Sequence, residues 1–442
     1  MNEINIAVDV FPYKKDIWSI CDYSGEQIYS KLALPLFFVE KDKVVMLAAE
    51  YFHQTAREIT INIKKNLCWS NGDKLIAEDY VRSIKCICND VGNRYNNILS
   101  SLVKSDSAIE VNSDYSFTLK TSWYDPFITQ YLSLINFSPK HRCSDALYAG
   151  AYSLIDKDEN TFRLVRNEFF TLDKYNNHVD KINYLLVKSD PDGRAFFTGK
   201  VHVSCNTAID LKRYRYFMAH ENFVSCNESL VMLLSPGKKF DEIPSDVKAI
   251  LATSINRTVI SERYDDMLNP IMSWMSMYFN GDYHYIHQDS NPRQTPFLLD
   301  ISYEDFYPNK EILDCIEEQL LKYNIHIRKN RDEYGKWISE SHFRFEIRKA
   351  PKFNPIQLIR SDLSKIAKGT PDYNRIKKIY SLLFKMDLLE QQQKIFQVID
   401  FYLRQQCFYI PLFIFPTGFF CDGSVVASSL YTPGLRIFIN RD

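Results

Sequence analysis

The sequence predicts an α/β protein that divides into two or more compact units, on three observations. Residues 59–88 have the pattern of a strand, a tight turn and a helix, and residues 297–327 that of strand, helix and strand. The third is length: 442 residues exceed what a single hydrophobic core ordinarily organises.

Each element follows from the spacing of its side chains. Ile59, Ile61 and Ile63 alternate with Thr60, Asn62 and Lys64, the period of a half-buried strand. Asn71-Gly72 then supplies the positive φ of a sharp reversal. Glu78 and Asp79 place negative charge where a first helical turn exposes its amides, and Tyr80, Val81, Ile84, Ile87 and Cys88 form an apolar helical stripe. Further on, Phe297-Leu-Leu-Asp-Ile301 is a buried strand, Ile312, Leu313, Ile316, Leu320 and Tyr323 make a helical face, and Ile325 with Ile327 alternates as the next strand. That is a βαβ unit, which closes with a right-handed crossover. Two more amphipathic helices follow, one through Ile376, Ile379, Tyr380 and Leu383, the other through Leu389, Ile395, Phe396, Ile399 and Leu403. They lead into a strand over Tyr409–Phe415. No internal repeat or low-complexity linker interrupts the chain.

Charge and motifs exclude several classes of function. With 54 basic and 55 acidic residues the net charge is −1, so the chain carries no electrostatic footprint for nucleic acid or an acidic membrane. Glycine-rich nucleotide loops, a nucleophile elbow and a His-Glu-x-x-His pair are all missing, and a non-catalytic protein without a cofactor is expected. The densest metal-like run is Asp282, His284, His287 and Asp289; its loop character makes solvated side chains the expected reading. Met1 to Val10 contains Glu3 and Asp9 and lacks the basic start and apolar core of an export signal. The late apolar run Phe408–Phe420 holds Pro411 and Pro416 and falls short of the roughly 20 residues that span a bilayer. Ten cysteines show neither a disulfide framework nor zinc spacing, and Cys86 and Cys88 read as small hydrophobes on a helix. The expected location is cytoplasmic as given, or extracytoplasmic if a leader has been removed.

The stretch Leu67-Cys-Trp-Ser-Asn-Gly-Asp-Lys-Leu-Ile-Ala-Glu-Asp-Tyr-Val-Arg82 resembles the signature of the family 5 extracytoplasmic solute-binding proteins, the peptide and nickel type that serves ABC importers. Further segments resemble that family in the same order: Glu26–Val39, Met46–Tyr51, Gly150–Leu154 with Phe162–Asn167, Ser189–Val203, and Val247–Ile260 as the helix that opens the second lobe. Lys248 and Asn256 stand where the family usually has arginine and aspartate, and Asn324 where it has glycine. The chain is also similar to the solute-binding-like C-terminal part of sugar-phosphate-stress transcriptional regulators. The resemblance implies a two-lobed periplasmic-binding-protein-like fold of type II, large peptide-binding class, with an interlobe cleft. Lobe I would be residues 1–225 plus 416–442, with a subdomain at about 40–148, and lobe II residues 226–415.

It also implies a function, the binding of a small polar or peptide-like solute in that cleft. Such a cleft needs aromatic walls and a few fixed polar groups. Candidates for the walls are Phe11, Tyr13 and Trp18 after the first strand, Trp274, Met275 and Tyr278 after the opening helix of lobe II, and Phe413 and Phe415 near the return to lobe I. Glu304 and Asp305 are candidates to meet a ligand amine. The implied partners are a small-molecule or peptide ligand and, for an exported protein, an ABC permease; a monomer is expected. The alternatives are the ligand-sensing domain of a transcriptional regulator, a cytoplasmic sequestration protein, and an enzyme built on the binding fold.

Overall fold

The structure, a computed structural model, describes residues 2–40, 43–99, 103, 105–172, 178–279, 292–335, 340–351, 355–363, 366, 371–386, 389–433 and 436–439. Its chain separates into two compact units. The first holds Met1–Asp210, Tyr216–Cys226 and Gly418–Asp442; the second holds Leu211–Arg215 and Asn227–Thr417. Among the described residues no helix is long and apolar enough to cross a membrane.

The first unit contains two four-stranded sheets. One has the order Glu3–Val8, Lys181–Leu186, Thr161–Arg166, Tyr152–Lys157, with the first pair parallel and the rest antiparallel. Its hairpin explains the glycine of Gly150–Leu154: a Cβ on Gly150 would lie 2.4 Å from the Leu32 carbonyl carbon. The Gly150 amide donates to Leu32 O at 3.0 Å, and the Asn167 side chain donates to Gly150 O at 2.8 Å. The other sheet is antiparallel, in the order Ala49–Gln54, Glu58–Ile63, Ser116–Lys120, Ile109–Ser113. The predicted alternation holds, since Ile59, Ile61 and Ile63 have no exposed surface.

The signature stretch connects this second sheet to the helix Ala77–Asn89. Gly72 takes φ +87, while Asn71 serves the turn through its side chain, whose Oδ1 accepts from the Asp73 amide at 3.1 Å. Asp79 is only 2% exposed, yet its Oδ2 accepts from the Trp69 indole and from the Ile76 amide, each at 3.1 Å. Arg82 Nη1 donates to Asp79 Oδ1 at 3.1 Å and to Lys140 O at 2.9 Å. One carboxylate therefore ties the turn, the helix start and a distant loop. Tyr80, Val81, Ile84 and Ile87 are fully buried as the stripe requires. Cys88 is half-buried, but Cys86 points to solvent and is no core residue.

The second unit is built on a six-stranded mixed sheet in the order Asn269–Pro270, Ile410–Phe420, Phe223–Pro236, Phe343–Lys349, Phe297–Glu304, Ile325–Asp332. The predicted βαβ unit is present: Phe297–Glu304 and Ile325–Asp332 pair in parallel, and helix Asn309–Leu320 joins them. Asn324 adopts φ 61, so the residue that replaces glycine does the left-handed job that ends the crossover. Strands Phe223–Pro236 and Ile410–Phe420 each have residues in both units.

One expectation is corrected here. Val247–Ile260 is not a single helix; it splits into Ser245–Ser254 and Arg257–Glu262 around an extended Ile255. Asn256 causes the restart by capping the second helix, its Oδ1 accepting from the Val259 amide at 3.3 Å. Lys248 sits over the Phe240 ring at 3.9 Å.

Replacing Asp79 by Ala would strand the Trp69 and Ile76 donors and the Arg82 charge. A loss of roughly 3 kcal/mol or more in urea-unfolding free energy is the expected result. A loss below about 1 kcal/mol would remove this carboxylate from its structural role.

Candidate ligand-binding surfaces

Parallel strands gather polar groups at their carboxyl ends, where open α/β sheets bind ligands. In the first unit, Glu3–Val8 runs parallel to Lys181–Leu186, and Ile6 forms a further parallel bridge to Val203. Beyond these strand ends lie Asp9 on one segment and Asn206 and Thr207 on another. Thr207 donates its hydroxyl to Asp9 Oδ2 at 2.9 Å, and Ser24 donates to Asp9 Oδ1 at 3.4 Å. Next to them, Gln27 donates to Asn206 Oδ1 at 2.9 Å, and Asn206 donates to the Tyr23 hydroxyl at 2.8 Å. Ser24, Gln27 and Asn206 are buried and Asp9 is half-buried.

Desolvation holds the Asp9 carboxyl above the usual carboxylate range, and its hydroxyl and amide donors only partly oppose that. The neighbouring Cys205 thiol is pushed up to about 12, first by burial and then by Asp9. Sequence reasoning missed Asp9, because a lone aspartate after a strand has no pattern.

Of the aromatic residues proposed from sequence in this unit, two keep solvent access. Phe11 is half-buried and tilts against Phe162 at 6.3 Å between centroids, and the half-buried Tyr13 has its hydroxyl 2.7 Å from Cys21 Sγ. Trp18 is core: it is 4% exposed, donates to Ser138 O at 3.2 Å and lies under Lys140 Nζ at 4.3 Å.

In the second unit the same logic applies to the carboxyl ends of Phe297–Glu304 and Ile325–Asp332. A cavity of about 280 Å³ opens there, lined by Pro236, Gly237, Lys238, Ser302, Asp332, Ser341 and Arg344. Gly237 permits the close approach, because a Cβ there would fall 2.2 Å from Ser341 O. A wider cavity of about 480 Å³ follows the edge strand past Arg328, Lys329, Asn330, Arg331 and Glu340. Glu304 and Asp305, the proposed amine acceptors, both have arginine partners: Arg344 stands 3.4 Å from Glu304, and Arg331 stands 3.0 Å from Asp305.

Four of the other residues proposed for this unit, Trp274, Met275, Phe413 and Phe415, lie in its core. Trp274, Met275 and Phe413 have no exposed surface and Phe415 has 2%. The physical reason is the indole N–H, which when buried needs an acceptor. Trp274 Nε1 donates to Asp362 Oδ2 at 3.1 Å, and Arg348 Nη1 holds Asp362 Oδ1 at 2.7 Å. The Trp274 ring stacks on Tyr409 at 4.9 Å, and Tyr409 donates to Asp400, which also accepts from Ser273 at 2.7 Å. Tyr278 is half-buried and donates to Pro351 O at 2.8 Å. The run Asp282, His284, His287 and Asp289 lies outside the described residues. Among those described, no group of three or more His, Cys, Asp or Glu side chains could hold a metal ion.

Trp274→Ala therefore acts on the fold. It should lower unfolding free energy by about 3–5 kcal/mol, the range for emptying a large buried side chain. Normal stability with altered ligand binding would instead return the indole to the binding surface.

Comparison with known proteins agrees with this architecture. Residues 44–223 match the family model described as bacterial extracellular solute-binding proteins, family 5, middle. The Escherichia coli murein tripeptide binding protein MppA superposes with a TM-score of 0.84 at 11% identity, over 100% of this chain and 99% of that one. Haemophilus influenzae OppA in complex with the peptide RPPGFSPFR gives 0.82 at 14% identity, again over 100% and 99%. Staphylococcus aureus NikA in complex with Ni(L-His)2 gives 0.79 at 16% identity and covers 100% of both chains. No curated protein matches the sequence. Residues 44–223 are thus similar to the family 5 middle model, and the chain has the two-lobed periplasmic-binding-protein fold over its whole length.

Proposed function

We propose that this protein binds a small polar or peptide-like solute and releases it unchanged. The observation that carries this reading is the pair of polar clusters at the carboxyl ends of parallel strands, one in each unit. They occur on a fold whose solved relatives include a complex with a nonapeptide and one with a nickel–histidine chelate. The clusters supply hydroxyls, amides, carboxylates and an arginine, the groups that orient a polar solute. In this reading the two strands with residues in both units would act as the hinge, and a solute that prefers a closed state would shift the population towards it. Transport through an ABC permease is the use that the family suggests.

The test is calorimetric titration with tripeptides and free amino acids, followed by small-angle scattering with the tightest binder. Binding without turnover and a smaller radius of gyration are expected. Chemical conversion of the bound compound would make the protein an enzyme, and an unchanged profile at saturation would remove hinge closure.

A second reading, sensing or sequestration inside a reducing compartment, is favoured by one observation. All ten cysteines carry free thiols, and Cys86 and Cys143 are exposed. Burial pushes the thiols of Cys205, Cys407 and Cys421 up to about 12 each. At pH 8, Ellman's reagent should therefore modify Cys86 and Cys143 in the native protein, and Cys205, Cys407 and Cys421 only after unfolding. Protein taken from its native host without reductant should titrate ten thiols in denaturant. Fewer would show paired cysteines and favour export.

A further inference from the structure

His342 ties three segments of the second unit to one another. Its amide donates to Asp300 O at 2.9 Å, and its ring Nδ1 accepts from the Asp300 amide at 2.9 Å, so it clamps strand Phe297–Glu304 at both backbone groups of one residue. Its carbonyl accepts from the Gly237 amide at 2.9 Å, and Ser341 O accepts from the Lys239 amide at the same distance. Ser341 and Gly237 line the cavity of about 280 Å³, and there Ser341 Oγ donates to Ser302 Oγ at 3.1 Å. The clamp therefore holds one side of the cavity wall in place.

This arrangement needs a neutral ring. A backbone N–H only donates, so the Nδ1 that meets it carries no proton and the ring proton sits on Nε2. A second proton would go to Nδ1, set donor against donor, and place a charge on a residue that is 6% exposed. The charged groups that face the ring are Asp300 on its own strand, Lys239 and Glu242 in the segment after strand Phe223–Pro236, and Arg328 on strand Ile325–Asp332. The Asp300 carboxylate, 3.9 Å from Nδ1, favours an imidazolium, yet Arg328 already binds both its oxygens at 2.5 and 2.7 Å and Lys239 stands 3.6 Å away. Burial, aided by these two cations, outweighs Asp300 and Glu242 and holds the imidazole below its ordinary value.

We propose that His342 is an acid-sensitive latch: neutral, it locks residues 341–342 onto strand Phe297–Glu304, and protonated, it lets them go and loosens the cavity wall at Ser341 and Gly237. Opening exposes the ring and returns its ordinary affinity for protons. The latch is therefore whole above the ordinary imidazole value of about 6.5, and weakens as pH falls from there towards the lowered value of the closed state, by up to about tenfold per pH unit. Use of the latch in releasing a solute rests on the solute-binding reading; the latch itself does not.

Hydrogen–deuterium exchange of the wild-type protein at pH 7.5 and pH 5.0, each corrected for the intrinsic chemical rate, reads the latch without any variant. Amides of residues 297–304 and 341–345 should exchange roughly tenfold faster at pH 5.0, while those of Glu58–Ile63 in the first unit stay protected. Equal protection of the two segments at both pH values overturns the latch. A uniform loss over both units overturns it as well, because the event is then global acid unfolding. His342→Asn offers an acceptor near the place of Nδ1 and takes up no proton, so it should keep its protection at pH 5.0. His326→Asn, an exposed histidine on the neighbouring strand, should behave as wild type. Acid opening of His342→Asn equal to that of wild type would overturn the assignment to His342.

For any solute found by titration, wild-type affinity should fall by a similar factor between pH 7.5 and pH 5.0, and that of His342→Asn should hold. A solute that the wild type holds equally at both values while the latch opens would remove His342 from solute release. Failure of every solute to bind would overturn the solute-binding reading and leave the latch to be decided by exchange alone.

Discussion

A buried indole N–H needs an acceptor, and for one tryptophan in each unit of this protein that acceptor is a carboxylate. Trp69 donates to Asp79 in the first unit and Trp274 to Asp362 in the second. Each carboxylate is in turn held by an arginine, Arg82 or Arg348. In the second unit the three groups come from separate segments, and in the first Trp69 precedes the helix that carries both Asp79 and Arg82, so each triad fixes a turn or a short helical segment against the elements around it. A neutral donor and a cation together satisfy a charge that neither would satisfy alone, which is what makes a buried carboxylate tolerable. Trp69, Asp79 and Arg82, which lie within the stretch that matches the family 5 model, are thus scaffold residues. The Trp69 to Arg82 stretch ties a turn to the start of a helix.

The chemistry lies at the strand ends instead. A parallel strand pair ends with both chains leaving the sheet on the same side, so polar side chains of unrelated segments meet there. In the first unit this brings Asp9, Ser24, Asn206 and Thr207 together from positions far apart in sequence. In the second it brings together Ser302, Asp332, Ser341 and Arg344, with Gly237 clearing the space. The groups of the second unit are largely balanced against one another. Those of the first unit are hydroxyls and amides around Asp9, whose carboxyl is held above the usual carboxylate range by burial.

Local periodicity made the elements legible in the sequence, and long-range pairing hid the site. The Ile59, Ile61, Ile63 alternation, the Gly72 reversal and the 297–327 βαβ unit could be read directly, because each depends on spacing within one segment. The break at Ile255 was missed, although Asn256 offered a capping signal inside an otherwise continuous apolar pattern. Trp274 was read as a wall because large aromatics line binding clefts. What placed it in the core was Asp362, 88 residues away, which no local pattern reveals. Asp9 did not stand out either, because its hydroxyl partners Ser24 and Thr207 lie 15 and 198 residues away. Cys86 reads from its spacing as a small hydrophobe on a helix, and its position on that helix exposes it.

The central claim is that the protein holds a small solute and leaves it intact, and native mass spectrometry addresses it most directly. Protein purified from its own host and sprayed under native conditions should show a mass above that of the 51.9 kDa chain. The excess should vanish under denaturing conditions as one released small molecule, recovered unchanged after prolonged incubation with the protein. Bare chain mass in every preparation, together with no uptake of added peptides or amino acids, would contradict solute binding. Recovery of a converted product would contradict the absence of catalysis.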